Sequence, residues 1–264
     1  MFEFLGSAVW VFAYNYSSNT SLVRAFAYFA TFVIASTVSG AHFNPAVTLA
    51  VYLQSGEYRK NFLYMLVCMF VQFAGCFFGI LASYAILFEG TQILYPDPTM
   101  TYKGPDGTES VYYTDGNNLH YGKVFFLEGI MTMIFAIVFL CVKYRNPLKH
   151  SDEIIKGLAL AFTLYACFEM TTGAGACLNP WFGISQNVYV NGIINGMHGT
   201  GRIWSRAMWC YAVAPFCGAI LAVLLFKLSL VANEDTSSSA MRIHEDPYNH
   251  KPVNNHTGPQ VSQA

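Results

Sequence analysis

Six apolar stretches separated by polar runs mark this chain, at roughly residues 2–16, 22–39, 61–88, 123–142, 154–172 and 204–231. A helix needs about 20 predominantly apolar residues to cross a bilayer, so the pattern predicts six membrane-spanning helices. Two further apolar pieces, roughly 44–53 and 179–190, each begin at an Asn-Pro pair. About ten helical residues rise only about 15 Å, enough to reach the bilayer midplane but not to cross it. Residues 232–264 are polar, rich in Pro and Asn, and lack apolar periodicity. They are expected to form a disordered, solvated tail following a membrane domain over 1–231.

The polar positions inside this pattern repeat. Glu3 lies early in the first span and Glu128 early in the fourth; Asn44-Pro45 follows the second span and Asn179-Pro180 the fifth. Three spans separate the copies, so the second half, about 123–231, has inverted topology relative to the first, about 1–88, with residues 89–122 as the loop between them. The predicted fold class is therefore an all-α membrane protein: six transmembrane helices plus two re-entrant half-helices in an inverted repeat.

Non-helical backbone at membrane depth must be buried in protein or line a watery cavity. Asn is a favourable N-cap and Pro a favourable first helical residue. "GAHFN" and "GACLN" are accordingly expected as extended segments that run inward and turn into half-helices, whose positive N-terminal ends meet near the midplane. Between them the Asn44 and Asn179 amides would donate to a passing oxygen. The carbonyls of Gly40, Ala41 and His42, and of Gly175, Ala176 and Cys177, would accept. Such a path dehydrates a neutral polar molecule at small cost and an ion at large cost.

Composition agrees with the membrane reading: 54% of residues are hydrophobic and only 11% charged, against roughly 25% charged in soluble domains. A net charge of −1 gives no electrostatic footprint for nucleic acid, so none is expected as a partner. The bilayer is the expected environment. The seven cysteines lie almost entirely in apolar segments without metal-ligand spacing and are read as packing residues. No cofactor is expected, and no nucleophile, base and acid group together as an enzyme would require. The N-terminal run has no basic segment ahead of it and is read as a first span, not a cleaved signal. Arg59 and Lys60 in the 2–3 loop, with Lys143, Arg145, Lys149 and Lys156 in the 4–5 loop, place those loops and both termini in the cytoplasm. Asn15-Tyr16-Ser17 and Asn19-Thr20-Ser21 match the glycan acceptor pattern on the opposite side, close against the membrane.

"SGAHFNPAVTLAVYL" (Ser39 to Leu53) resembles the first signature of the aquaporin, or major intrinsic protein, family, and the six spans, two re-entrant loops and paired glutamates match its plan over about residues 1–230. The resemblance implies an hourglass channel, a homotetramer with one pore per protomer, passing water or small neutral solutes such as glycerol, urea or ammonia. It also implies that Glu3 and Glu128 are buried carboxylates accepting backbone N–H groups of the neighbouring re-entrant loop. Asn44, Pro45 and Ala46 carry the first motif; Asn179, Pro180 and Trp181 carry a degenerate second one.

The second copy departs from the family where selectivity is set. In the family the motif continues Asn-Pro-Ala-Arg, and that Arg supplies a fixed charge to the outer constriction; here the chain reads Asn179-Pro180-Trp181-Phe182, followed by Gly183 in place of the aspartate of glycerol-conducting relatives. Trp181 is expected to press on the opposite half-helix or narrow the midplane. Arg24, or with a two-residue gap Phe26, falls at the second-span filter position, Cys167 at the fifth-span position and Ala176 at the loop position, with Phe182 completing the set. Arg24 would then replace the missing charge, against the alternative that it reaches to the headgroups. Arg202 and Arg206, in the stretch Val190 to Arg206, are a third possible source of charge. A competing function is a non-conducting structural or adhesive membrane protein whose pore Trp181 blocks. Ion or coupled transport would require ionisable groups at the midplane, and only Glu169 invites that reading.

Overall fold

In a computed structural model of the 264-residue chain, the residues described are 1–17, 20–87, 100–103, 109–112, 121–171, 174–175, 177–189 and 208–244. The chain divides into two compact units, Met1–Phe226 and Lys227–Ala264. The helices are α1 (Phe2–Tyr16), α2 (Ser21–Ser39), α3 (Pro45–Ser55), α4 (Tyr58–Leu87), α5 (Tyr121–Tyr144), α6 (Glu153–Thr171), α7 (Pro180–Tyr189) and α8 (Met208–His244). Five of them, α2, α4, α5, α6 and α8, are long and apolar enough to cross a membrane. The 15-residue α1 rises about 22 Å and is held against α2 and α4. The exterior is apolar, with Phe70 71% and Leu63 70% exposed, as a lipid-facing surface requires.

The helices approach one another most closely at glycines. A Cβ on Gly75 or Gly79 of α4 would strike the carbonyl of Phe4 or Ala8 in α1, and a Cβ on Gly218 of α8 would strike the Gly129 carbonyl of α5. Small residues let helix backbones meet where lipid supplies no hydrophobic drive to associate. The same device joins the first and third spans of each half, as an inverted repeat demands.

Two elements differ from expectation. Residues within the 89–122 loop form a two-stranded antiparallel hairpin, β1 (Met100–Lys103) and β2 (Glu109–Tyr112), with Met100 opposite Tyr112 and Lys103 opposite Glu109. The polar stretch after residue 231 does not leave the helix at once, because α8 continues to His244. Helix propagation needs one hydrogen bond per residue added, and no proline interrupts the chain until Pro247. Asn19, Ala176, Arg202 and Arg206 lie outside the described residues.

Candidate functional site

The two Asn-Pro segments adopt one backbone design twice. Gly40 and Gly175, each four residues ahead of its Asn, have φ of 87° and 104°, and Phe43 and Leu178, each one residue ahead, have φ of 52° and 55°. Ala41 joins them at φ 50°. Non-glycine residues in this region are strained, by about 1–3 kcal/mol each, and persist where the surroundings over-determine them. Here the glutamates do so. Glu3 accepts from the N–H of His42 (3.0 Å) and of Phe43 (2.8 Å); Glu128 accepts from the N–H of Cys177 (2.9 Å) and of Leu178 (2.6 Å). Both carboxylates are buried, and charge-assisted bonds of this kind are roughly twice as strong as neutral ones. Each therefore grips the backbone at the left-handed residue directly before its Asn.

Each Asn then starts a half-helix. The Asn44 Oδ1 accepts from Ala46 N (2.9 Å) and the Asn179 Oδ1 from Trp181 N (3.1 Å) and Phe182 N (3.3 Å). The amides cross over: Asn44 Nδ2 donates to the Leu178 carbonyl (2.8 Å) and Asn179 Nδ2 to the Phe43 carbonyl (3.0 Å). An amide nitrogen carries two hydrogens, so each Asn retains one beyond this exchange. Both residues line a cavity with Trp10, Tyr28, His42, Phe135, Leu164 and Leu178, in which the space open to a water centre is about 10 Å³, room for about one water. Trp10 Nε1 is buried without a hydrogen-bond partner among the described residues. Three donor groups thus border a cavity of one water's size.

Two tyrosines hold the extended segments from the neighbouring helices. Tyr28 donates to the Ala41 carbonyl (3.2 Å) and Tyr14 to the Gly175 carbonyl (2.9 Å), using one lone pair of a carbonyl in each extended segment. No motif marks them, since their helical positions alone aim them at the loops.

Arg24 is buried. Its guanidinium carbon lies 3.7 Å from the centroid of the Tyr14 ring and 5.9 Å from that of Phe168, and Nε donates to Ser17 Oγ at 2.8 Å. Phe182 is fully buried and packs on Tyr14 (4.3 Å) and Trp10 (5.1 Å). Tyr14 and Phe168 thus present aromatic faces to one buried cation, an arrangement favourable to guanidinium.

Three assignments need correction. Phe26 is 45% exposed on the outside of α2, so of the two second-span candidates only Arg24 turns inward. Cys167 points its Sγ at the Met131 carbonyl of α5 (3.5 Å), and the neighbouring Phe168 faces Arg24 and stacks on Trp10 (6.1 Å). One helical residue is about 100° of rotation, which is the whole difference between wall and interior. Trp181 is not among the residues lining the midplane cavity; its ring lies against Phe73 of α4 (5.2 Å) and Phe216 of α8 (6.4 Å). Gly183 also has a packing reason: a Cβ there would lie 2.6 Å from Tyr211 Cβ and 2.8 Å from Cys177 Sγ. Asn15 of the first glycan pattern is buried, donates to Ser83 Oγ (3.1 Å) and accepts from Gln186 (2.6 Å), which leaves its amide inaccessible to a glycan.

The family profile described as Major intrinsic protein matches residues 1–226. The chain belongs to the major intrinsic protein family. It is similar to an aquaporin of Laccaria bicolor, with 28% identity over 77% of this chain and 75% of that protein. It is also similar to glycerol uptake facilitator protein-like 6 of Lactiplantibacillus plantarum, with 25% identity over 89% of this chain and 94% of that one. Among solved structures, the X-ray structure of the aquaglyceroporin from Plasmodium falciparum superposes with a TM-score of 0.64, covering 85% of this chain and 93% of the other at 20% identity, a likeness of fold. This major intrinsic protein is an integral, multi-pass membrane channel and not an enzyme.

Two larger chambers lie near His42 and Gly40. One chamber of about 110 Å³ is lined by Phe32, Ser36, Gly40, Phe139, Lys143 and Lys156, and another of about 140 Å³ by His42, Thr48, Tyr52, Asn61 and Tyr64 among others.

Proposed function

We propose that this major intrinsic protein conducts water and small neutral solutes, glycerol among them, passively through the path between its two half-helices, with Arg24 as the fixed charge of an aromatic filter. The observation that carries this reading is the crossed pair of Asn amides at a cavity of about 10 Å³. Donors without acceptors converge there, at the N-termini of two half-helices, so a guest that brings an oxygen lone pair is favoured and a cation is not. The relatives named for water and for glycerol support the same solute class. Arg24, wedged between Tyr14 and Phe168, supplies from α2 the charge that the family places after the second Asn-Pro. Phe182, in the usual place of that charge, adds an apolar wall. The lysines and arginines of the 2–3 and 4–5 loops orient both termini toward the cytoplasm, and a homotetramer is the assembly that the family resemblance implies.

Stopped-flow light scattering on the purified protein in liposomes tests this. An impermeant osmotic gradient is expected to shrink the vesicles well faster than empty liposomes, and a glycerol gradient is expected to dissipate faster as well. Trp181→Ala should leave water flux near the parent level, because the ring lies between α4 and α8. A silent parent beside a conducting Trp181→Ala would overturn the reading in favour of a blocked, structural protein.

A further inference from the structure

The chamber beside Gly40 holds a charge that the reading above uses only for orientation, Lys143, which lies in the last turn of α5. Lys143 Nζ lies 3.1 Å from His42 Nε2 and 5.9 Å from the centroid of the Phe139 ring. It is also 3.1 Å from the point where a Gly40 side chain would begin. The ammonium therefore sits against the Gly40 turn, where the extended segment begins. Gly40 caps the C-terminal end of α2, while Arg24 is in its first turns; at 1.5 Å per residue the two points are about 24 Å apart. The crossed asparagines lie between them.

The hydrogen-bond chain around His42 decides what a solute meets there. An ammonium has three donors and no acceptor, so His42 Nε2 must accept. The proton is then on Nδ1, which donates to Thr48 Oγ1 (3.2 Å). That oxygen also accepts from Gln72 Nε2 (2.9 Å), and its hydroxyl donates to the Asn44 carbonyl (3.0 Å). Both ring nitrogens are thereby engaged, and the imidazole offers no N–H to the path. The donors left at this end include the remaining hydrogens of Lys143 and the Ser36 hydroxyl, which lines the same chamber without a partner among the described residues. Glu153 and Lys156 line the same chamber and pair with each other at 2.7 Å; the Glu3 carboxylate acts on Lys143 from α1 but is taken up by the His42 and Phe43 N–H groups, so no carboxylate forms an ion pair with Lys143 among the described residues.

We propose that Lys143 is a specificity-determining residue of this pore, a fixed cation that bars protons and other cations at the end opposite Arg24. Resting on the conducting reading, this gives the path a positive charge on each side of the asparagines. A cation entering from either end meets repulsion before it reaches the donors at the midplane. Neutral solutes pass both charges and gain a hydrogen-bond donor at each.

The full chain in liposomes, with an entrapped pH dye and an imposed membrane potential, separates charge from hydrogen bond. Lys143→Met removes both; Lys143→Gln keeps a donor for His42 Nε2 without charge; Lys143→Arg keeps the charge. Proton leak is expected to rise several-fold in Lys143→Met and Lys143→Gln and to remain at the parent level in Lys143→Arg, with water flux in all three at least that of the parent. Met and Gln variants that carry water yet leak no more than the parent would overturn the proposal, as would an Arg variant that leaks like Met. A parent that moves no water sinks the conducting reading and this one together, and the water trace tells that outcome from the other two.

Discussion

The two Asn-Pro segments share a backbone and differ in almost everything attached to it. Both place glycine in the left-handed region four residues before Asn and a strained residue directly before it, and both fasten that residue to a buried glutamate. Around the first copy the side-chain network is dense: Glu3 also accepts from Ser39 Oγ (2.8 Å) and Gln72 Nε2 (2.8 Å). Around the second, Glu128 holds only the two backbone N–H groups among the described residues, and the residues after Asn179 are large aromatics. The half-helix geometry is carried by main chain and brace, so the side chains beyond Asn are free to change. Trp181 exploits that freedom by turning outward between α4 and α8, and Phe182 by turning inward against Tyr14.

The brace should break the comparison most severely. Removing the carboxylate orphans buried donors at about 1–3 kcal/mol each. Glu3→Ala strands three, the His42 and Phe43 N–H groups and a Gln72 hydrogen, while the Ser39 hydroxyl keeps the Ala35 carbonyl; Glu128→Ala strands two, so both are expected to lower the thermal midpoint of the protein in detergent, Glu3→Ala by more. Equal losses would mean that Gln72 finds another acceptor and that the networks of the two copies are energetically alike.

The glycine contacts come next. Gly218→Ala drives a Cβ into the Gly129 carbonyl, whereas Gly129→Ala places its Cβ 3.4 Å from the Ala214 carbonyl. Overpacking costs about 1–3 kcal/mol; the first variant should pay it and the second should melt near the parent. Smallest is Trp181→Phe, which also removes an indole N–H that has no partner among the described residues. A change of about 1 kcal/mol or less, with water permeability unaltered, is expected from parallel melting and stopped-flow measurements. Altered permeability would place Trp181 in the path after all and restore a functional difference between the copies.

Much of this was legible in the chain. The inverted repeat and the midplane reach of the half-helices follow from spacing, because each depends on counting residues along an axis; the bracing of the loops by Glu3 and Glu128 was implied by the resemblance to the family. The role of Lys143 was not: in sequence it is one more basic residue near a loop, and only the packing of α5 against the Gly40 turn brings it to His42. Tyr14 and Tyr28 were invisible for the same reason.

What the sequence by itself determined is the membrane fold, the doubled Asn-Pro scaffold and the absence of an arginine after the second copy. These are one-dimensional facts, set by apolar length, by order and by the identity of a motif residue. Which residues face the path was decided only in three dimensions. Phe26 looks outward while Arg24 two positions away is buried, and Cys167 meets α5 while Phe168 beside it meets Arg24. A step of one residue turns a helix by about 100°. The rotation of each helix is settled by glycine contacts, braces and aromatic packing contributed from the other half of the chain.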